Sequence, residues 1–267
     1  MDVTGLVLLL LMGCIAGFLA GFFDLEGGII LVPLLLYYFL SIGISSLVAT
    51  HLTFGTCLLT VIFASLFAAY QHSRKRHVLW RAVLMISAGS VIGVLIGTGI
   101  AAGLQGRSLQ RIFAIVAVYA AIRLLAESKR PKEDPQLSPS PVVLGLIGLV
   151  TGLVSPLAGV GGGVLSIPMM NYFAKFPLKK ALGTSSAAGG IIAIASTIGY
   201  IVKGWENPLL PPHTWGFVDY FYAAPIIVGT LPFTRLGASA AQRDKFQMLR
   251  KACAVFLLVV AMKMAFF

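Results

Sequence analysis

Charged residues are scarce in this chain, 11% of its 267 residues, and acids are scarcer still, with nine Asp and Glu against twenty Lys and Arg. Soluble domains carry roughly a quarter of their residues as Asp, Glu, Lys and Arg. The shortage, beside 58% hydrophobic residues and a mean hydropathy of +0.94, excludes a soluble domain. Cysteine is sparse and odd in number. Cys14, Cys57 and Cys253 all fall inside apolar runs, which excludes a disulfide framework and leaves small core residues. The opening "MDVTGLVLLLLMGC" has no Lys or Arg, so the basic n-region of a secretory signal is absent and Val3–Phe23 is expected to be retained as a helix. The four histidines, His51, His72, His77 and His213, are scattered between a helix and loops, and no Lys-Ser or Lys-Thr pair follows the glycine clusters. No metal site, catalytic constellation, nucleotide loop or cofactor is therefore expected.

Long apolar runs fill the space that charge leaves. Ten can be drawn: Val3–Phe23, Gly28–Leu40, Leu47–Tyr70, Ala82–Leu104, Gln110–Leu125, Val142–Leu157, Gly163–Phe173, Ala181–Val202, Phe217–Thr234 and Ala252–Phe267. Most have the ~20 residues a helix needs to cross a ~30 Å hydrocarbon layer. The second and seventh are too short. The expected fold class is an all-α polytopic membrane protein. "ESKRPKEDPQLSPSP", Glu127 to Pro141, is the one charged, proline-rich stretch of any length and reads as a linker between residues 1–126 and 142–267.

The two halves repeat each other. "GFLAGFFDLEGGIILVP" superposes without gaps on "GLVSPLAGVGGGVLSIP", matching Gly17 with Gly152, Gly27 and Gly28 with Gly162 and Gly163, and Pro33 with Pro168. Further on, "LVATHLT" matches "ALGTSSA", bringing Thr50 onto Thr184. Cytoplasmic loops collect Lys and Arg. With both termini outside and the 127–141 linker inside, all but Arg107, Arg111, Lys203 and Lys263 of the twenty basic residues fall on the cytoplasmic side. Half one then begins outside and half two inside, so about five segments each form two inverted repeats. The same distribution accounts for the +11 charge without a nucleic-acid partner.

The glycines and prolines disfavour continuous helix from Ser155-Pro156 to Gly163. Non-helical backbone survives at membrane depth only when buried in protein or lining a polar cavity. A short helix follows each break, near Gly28 and near Gly163, and unpaired N–H groups at such ends attract anions. Inverted repeats with paired broken segments are a mark of secondary transporters. The bland alternative is close helix packing through Gly159, Gly161 and Gly163.

The glycine run closed by a proline five residues later, repeated in register and followed in each half by a Thr-centred stretch such as "LGTSSA", resembles the sulfite exporter TauE/SafE family of membrane permeases over essentially the whole chain. The resemblance implies a cell-membrane carrier of sulfite, organosulfonates or other small anions, with re-entrant turns or broken helices at the two motifs. The substrate-binding candidates are Glu26, Gly27, Gly28, Thr50, His51, Gly161, Gly162, Gly163, Thr184, Ser185 and Ser186. The expected partners are a small anion and the lipid bilayer, with a homodimer as an open option. An anion channel and, further off, a membrane-embedded enzyme using Asp24, Glu26 and His51 are the rival readings.

This chain departs from the family pattern in its first motif, where Asp24 and Glu26 stand at the positions of Gly159 and Gly161. Buried carboxylates are pushed towards the protonated form, so Asp24 and Glu26 are candidate proton-coupling groups. Glu26 can equally hold the ammonium of an aminosulfonate, or both can be solvated at the cytoplasmic mouth. Tyr70 and Tyr200, at the ends of matching helices, read as interfacial anchors.

Overall fold

The computed structural model describes residues 3–23, 27–126, 140–240 and 247–266. Each apolar run forms a helix: α1 Val3–Phe23, α2 Gly28–Ser41, α3 Ser46–Arg74, α4 Trp80–Gly103, α5 Gly106–Ala126, α6 Pro141–Ala158, α7 Gly163–Phe173, α8 Leu178–Gly204, α9 Tyr220–Ala240 and α10 Gln247–Phe266. Six of them, α1, α3, α4, α5, α6 and α8, are long and apolar enough to cross a bilayer. The bundle exterior is correspondingly apolar, with Leu84, Leu95, Ile115, Val142 and Val228 each about two-thirds exposed, as a lipid-facing surface requires. At 14 and 11 residues, α2 and α7 reach only ~21 and ~16 Å, about two-thirds and half of a ~30 Å hydrocarbon layer.

Glycine rows set the closest helix pairs. A Cβ on Gly13, Gly17 or Gly21 of α1 would overlap the carbonyl oxygens of Ile226, Thr230 or Thr234 on α9. The same arrangement recurs between α6 and α4, where Gly148 and Gly152 lie on the carbonyls of Ile86 and Ser90. In return, Gly89 of α4 lies on Gly145, and Gly229 of α9 on Leu10. Each first helix of a half therefore packs into the fourth helix of the other half. The long helices α3 and α8 run through the middle against each other, Gly190 meeting Leu66.

One expectation is corrected. The ninth apolar run does not start as helix at Phe217. Thr214–Trp215 (β1) and Val218–Asp219 (β2) form a tight antiparallel hairpin that turns through Gly216 at φ +54°, and α9 starts only at Tyr220. The hairpin folds inward, its tip seated on the last turns of α8 by a bond from the Phe217 N–H to the Tyr200 carbonyl (3.2 Å). The interruption expected between Ser155 and Gly163 is present and falls just past Pro156. α6 continues to Ala158 and stops at Gly159, whose φ of +62° is the left-handed conformation a helix C-terminus favours. The Pro156 carbonyl accepts instead from the Tyr200 hydroxyl at 2.7 Å.

Candidate functional site

Both glycine turns fold back along the helix before them. Gly27 lies 3.5 Å from Ala20 and 3.6 Å from the Ala16 carbonyl, measured from the Cβ it lacks, and Gly162 by the same measure is 3.6 Å from Thr151, the repeat counterpart of Ala16. Each turn then starts its short helix against the middle of a long one. Gly28 meets Val61, midway along the 29-residue α3, and Gly162 meets Ile192, midway along the 27-residue α8.

There the two turns touch. A Cβ on Gly28 would stand 2.9 Å from the Gly159 carbonyl oxygen and 3.3 Å from the Val160 Cα, while one on Gly159 would press on the Phe54 ring. Helix α2 thus begins against the turn that precedes α7, near the centre of the bundle, and the N-cap residues of the two short helices, Gly27 and Gly162, provide no side-chain cap. Uncapped helix N-termini place partial positive charge on their first amides.

Two small clefts flank the contact. One, at the second turn, is lined by Gly161, Gly162, Thr151 and Ser155, and the other, at the first, by Gly27, Thr60 and Thr230. The hydroxyls of Thr151, Thr60 and Thr230 bond to carbonyls of their own helices, and Ser155 lies 3.5 Å from Ser196 across the α6–α8 interface. Sequence reasoning passed over these four residues. Thr151 was readable from its register with Ala16, but Thr60 and Thr230 become neighbours only through helix packing.

A cation also approaches the second turn. Arg123 of α5 donates from Nη1 to the carbonyl of Val164, in the first turn of α7, at 3.3 Å. Sequence reasoning took Arg123 for one more cytoplasmic anchor, since charge statistics say nothing of where a long side chain reaches.

Several predicted binding residues lie elsewhere. Thr50 is fully buried between α3 and α5, accepting from Gln110 Nε2 at 2.9 Å, ten or so residues and ~16 Å along α3 from Val61. His51 is buried rather than wet, with Nε2 3.0 Å from the Ala101 carbonyl oxygen and its ring on Phe217 at 5.1 Å. Thr184 accepts from the Leu79 N–H at 3.1 Å, tying α8 to the start of α4, and Ser186 bonds back to the Leu182 carbonyl. Of the three α8 candidates, Ser185 alone reaches the motif, pairing with Ser166 of α7 at 2.6 Å. Tyr200 is no interfacial anchor, since its hydroxyl is buried on Pro156, whereas Tyr70 is exposed beneath Arg74, as an anchor would be. Asp24 and Glu26 lie outside the described residues.

Comparison with known proteins places this geometry. The chain is 33% identical over 264 residues to a probable membrane transporter protein of Haemophilus influenzae, covering 98% of each. It is 26% identical over 247 residues to one of Methanocaldococcus jannaschii, covering 92% of this chain and 90% of the relative. A third, from Bacillus subtilis, is 23% identical over 277 residues and 97% of each chain. No solved structure matches. The model of the family described as sulfite exporter TauE/SafE matches residues 8–264, and this multi-pass membrane chain belongs to that transporter family.

Proposed function

We propose that the protein is a secondary carrier of a small anion, sulfite or an organosulfonate, bound between the two glycine turns and moved by alternating access. The observation that carries the reading is the contact of Gly28 with Gly159 and Val160 midway along α3 and α8. The start of α2 meets the second glycine turn there, with the Arg123 guanidinium against the first turn of α7. Amide dipoles and one half-buried cation suit an oxyanion. A binding site where two halves meet lets either half swing away and open it to one side. Gly27, Gly28, Gly161, Gly162, Gly163 and Ser185 are the binding residues in this reading, while Thr50, His51, Thr184 and Ser186 support the helices that hold the turns.

The halves, 1–126 and 142–267, are read as inverted repeats joined by a cytoplasmic 127–141 linker, with both termini outside the cell membrane. The recurrence of the α1–α9 contact as α6–α4 supports the duplication, and the distribution of Lys and Arg supports the inversion. On sequence grounds Asp24 and Glu26 are put forward as proton acceptors at the first turn. A thermal-shift panel of sulfite, sulfonates, aminosulfonates, sulfate and carboxylates tests the substrate class. Stabilisation by sulfite or sulfonates is expected, and stabilisation only by cations or neutral sugars overturns the reading.

A further inference from the structure

The described residues contain two carboxylates, Glu206 and Asp219. Glu206 is exposed in the loop after α8, whereas Asp219 is fully buried at the end of β2. One of its oxygens, Oδ1, accepts from the Phe221 and Tyr222 N–H groups at 3.0 and 3.1 Å and so caps α9. Its own N–H donates to Thr56 Oγ1 of α3 at 3.0 Å. The other oxygen, Oδ2, is buried with no hydrogen-bond partner among the described residues. A helix cap uses one carboxylate oxygen. A second one, ionised and dry, opposes burial of the whole hairpin, and a proton on it removes that charge.

The surroundings supply little to hold the charge. His213, in the loop before β1, and Tyr222 of α9 are the titratable groups whose charge acts on it, His213 favouring the carboxylate. From α3 it is faced by the neutral Thr56, with His51 further out beyond Phe217, and α8 presents Tyr200, whose ring packs on Phe217 at 6.4 Å. Burial outweighs the two cap bonds and the histidine and holds the carboxyl up at about 6, against 3.8 ordinarily. Thr56 and Thr60 lie one turn apart on the same face of α3, and Thr60 lines the cleft at Gly27. The docked hairpin is therefore one helical turn from the candidate anion site.

We propose that Asp219 is a proton-binding latch: the β1–β2 hairpin docks on α3 at Thr56 with the Asp219 carboxyl protonated, and undocks as that proton leaves. Docking takes one proton from the medium on the hairpin's own side onto Oδ2, and undocking returns it there or, after the carrier has turned over, to the other side. Its part in coupling rests on the anion-carrier reading, in which closing the hairpin beside a bound anion would carry a proton with it. The latch is separate from the coupling put forward for Glu26.

Hydrogen exchange of the hairpin amides in the purified protein across the acid range tests the latch without any transport measurement. Asp219→Asn keeps the cap, because the Asn carbonyl accepts the same two amides. In the wild type, protection of residues 214–219, corrected for intrinsic exchange, is expected to fall about tenfold per pH unit between 3.8 and about 6 and to level off above that window. In Asp219→Asn it is expected to stay high and flat. Thr56→Val, which removes the acceptor alone, is expected to lower protection at every pH without moving the midpoint. A flat wild-type profile, or the same fall in Asp219→Asn, overturns the latch and leaves a plain helix cap. In proteoliposomes an imposed proton gradient should speed anion uptake several-fold more in the wild type than in Asp219→Asn, while the variant's anion counterflow persists. An equal response in both also overturns the proposal. Absence of wild-type counterflow sinks the carrier reading instead, and the exchange profiles still decide the latch.

Discussion

Gly28→Ala is the sharpest probe of the place where the two turns meet. The new Cβ would stand 2.9 Å from the Gly159 carbonyl oxygen, 3.2 Å from Val61 Cγ2 and 3.3 Å from the Val160 Cα. Two of those three neighbours are backbone held by a left-handed glycine and cannot rotate aside. Overpacking of this kind costs ~1–3 kcal/mol. Against it stands the gain of replacing a helical Gly by Ala, at most ~1 kcal/mol. The net expectation is destabilisation by roughly 1–2 kcal/mol, with the turns forced apart and transport reduced more than stability alone explains. Gly99→Ala in α4 is the control, because nothing lies within 4 Å of its missing Cβ and it is exposed. It collects the helix gain without the clash and should be slightly stabilised. Thermal unfolding in detergent and initial uptake rates measure both variants. Equal stability and equal uptake in Gly28→Ala and Gly99→Ala would refute the close contact and, with it, the placement of the site.

Tyr200→Phe strips the Pro156 carbonyl of its donor in a buried setting and should destabilise by ~1–3 kcal/mol, read as a lower unfolding temperature. The raised Asp219 carboxyl makes the folded state hold a proton that the unfolded chain releases between pH 3.8 and about 6. Stability is therefore highest at the acid end of that window and falls as pH rises through it, by about 3 kcal/mol for a two-unit shift, and Asp219→Asn should flatten the melting profile there. Arg123→Gln keeps a donor for the Val164 carbonyl but removes the charge, so anion affinity should drop about tenfold in a binding titration. A cysteine placed in the 127–141 linker should resist an impermeant external reagent in intact cells, and labelling from outside would contradict the topology.

Most of the helical layout could be read from the sequence, because each apolar run is a membrane-length feature that needs no knowledge of neighbours. Gly159 and the Gly-Gly pairs could also be read, since glycines in an oily helix carry a cost that something must offset. What the sequence concealed is contact between distant segments. The run from Phe217 to Thr234 is apolar apart from Asp219 and a few hydroxyls, so its averaged hydropathy does not show that its first three residues belong to a hairpin turned by Gly216. The break expected between Ser155 and Gly163 falls at Gly159 and not at Pro156, which sits in the last turns of α6, where one lost N–H is tolerated and the Pro156 carbonyl, left open by the end of the helix, accepts from Tyr200. Thr50 and Thr184 matched in register and still do different work, one pairing with Gln110 and the other with the Leu79 amide. Repeat alignment preserves position along a helix but not the partners that the second half brings to it.

The most direct test of the central claim is sulfite counterflow in proteoliposomes. Vesicles loaded with unlabelled sulfite should take up labelled sulfite transiently above equilibrium, saturably with external concentration, and Gly28→Ala should depress the rate. Uptake that stays linear in concentration, with no counterflow, would contradict a carrier with an anion site between the two glycine turns and would instead indicate a channel.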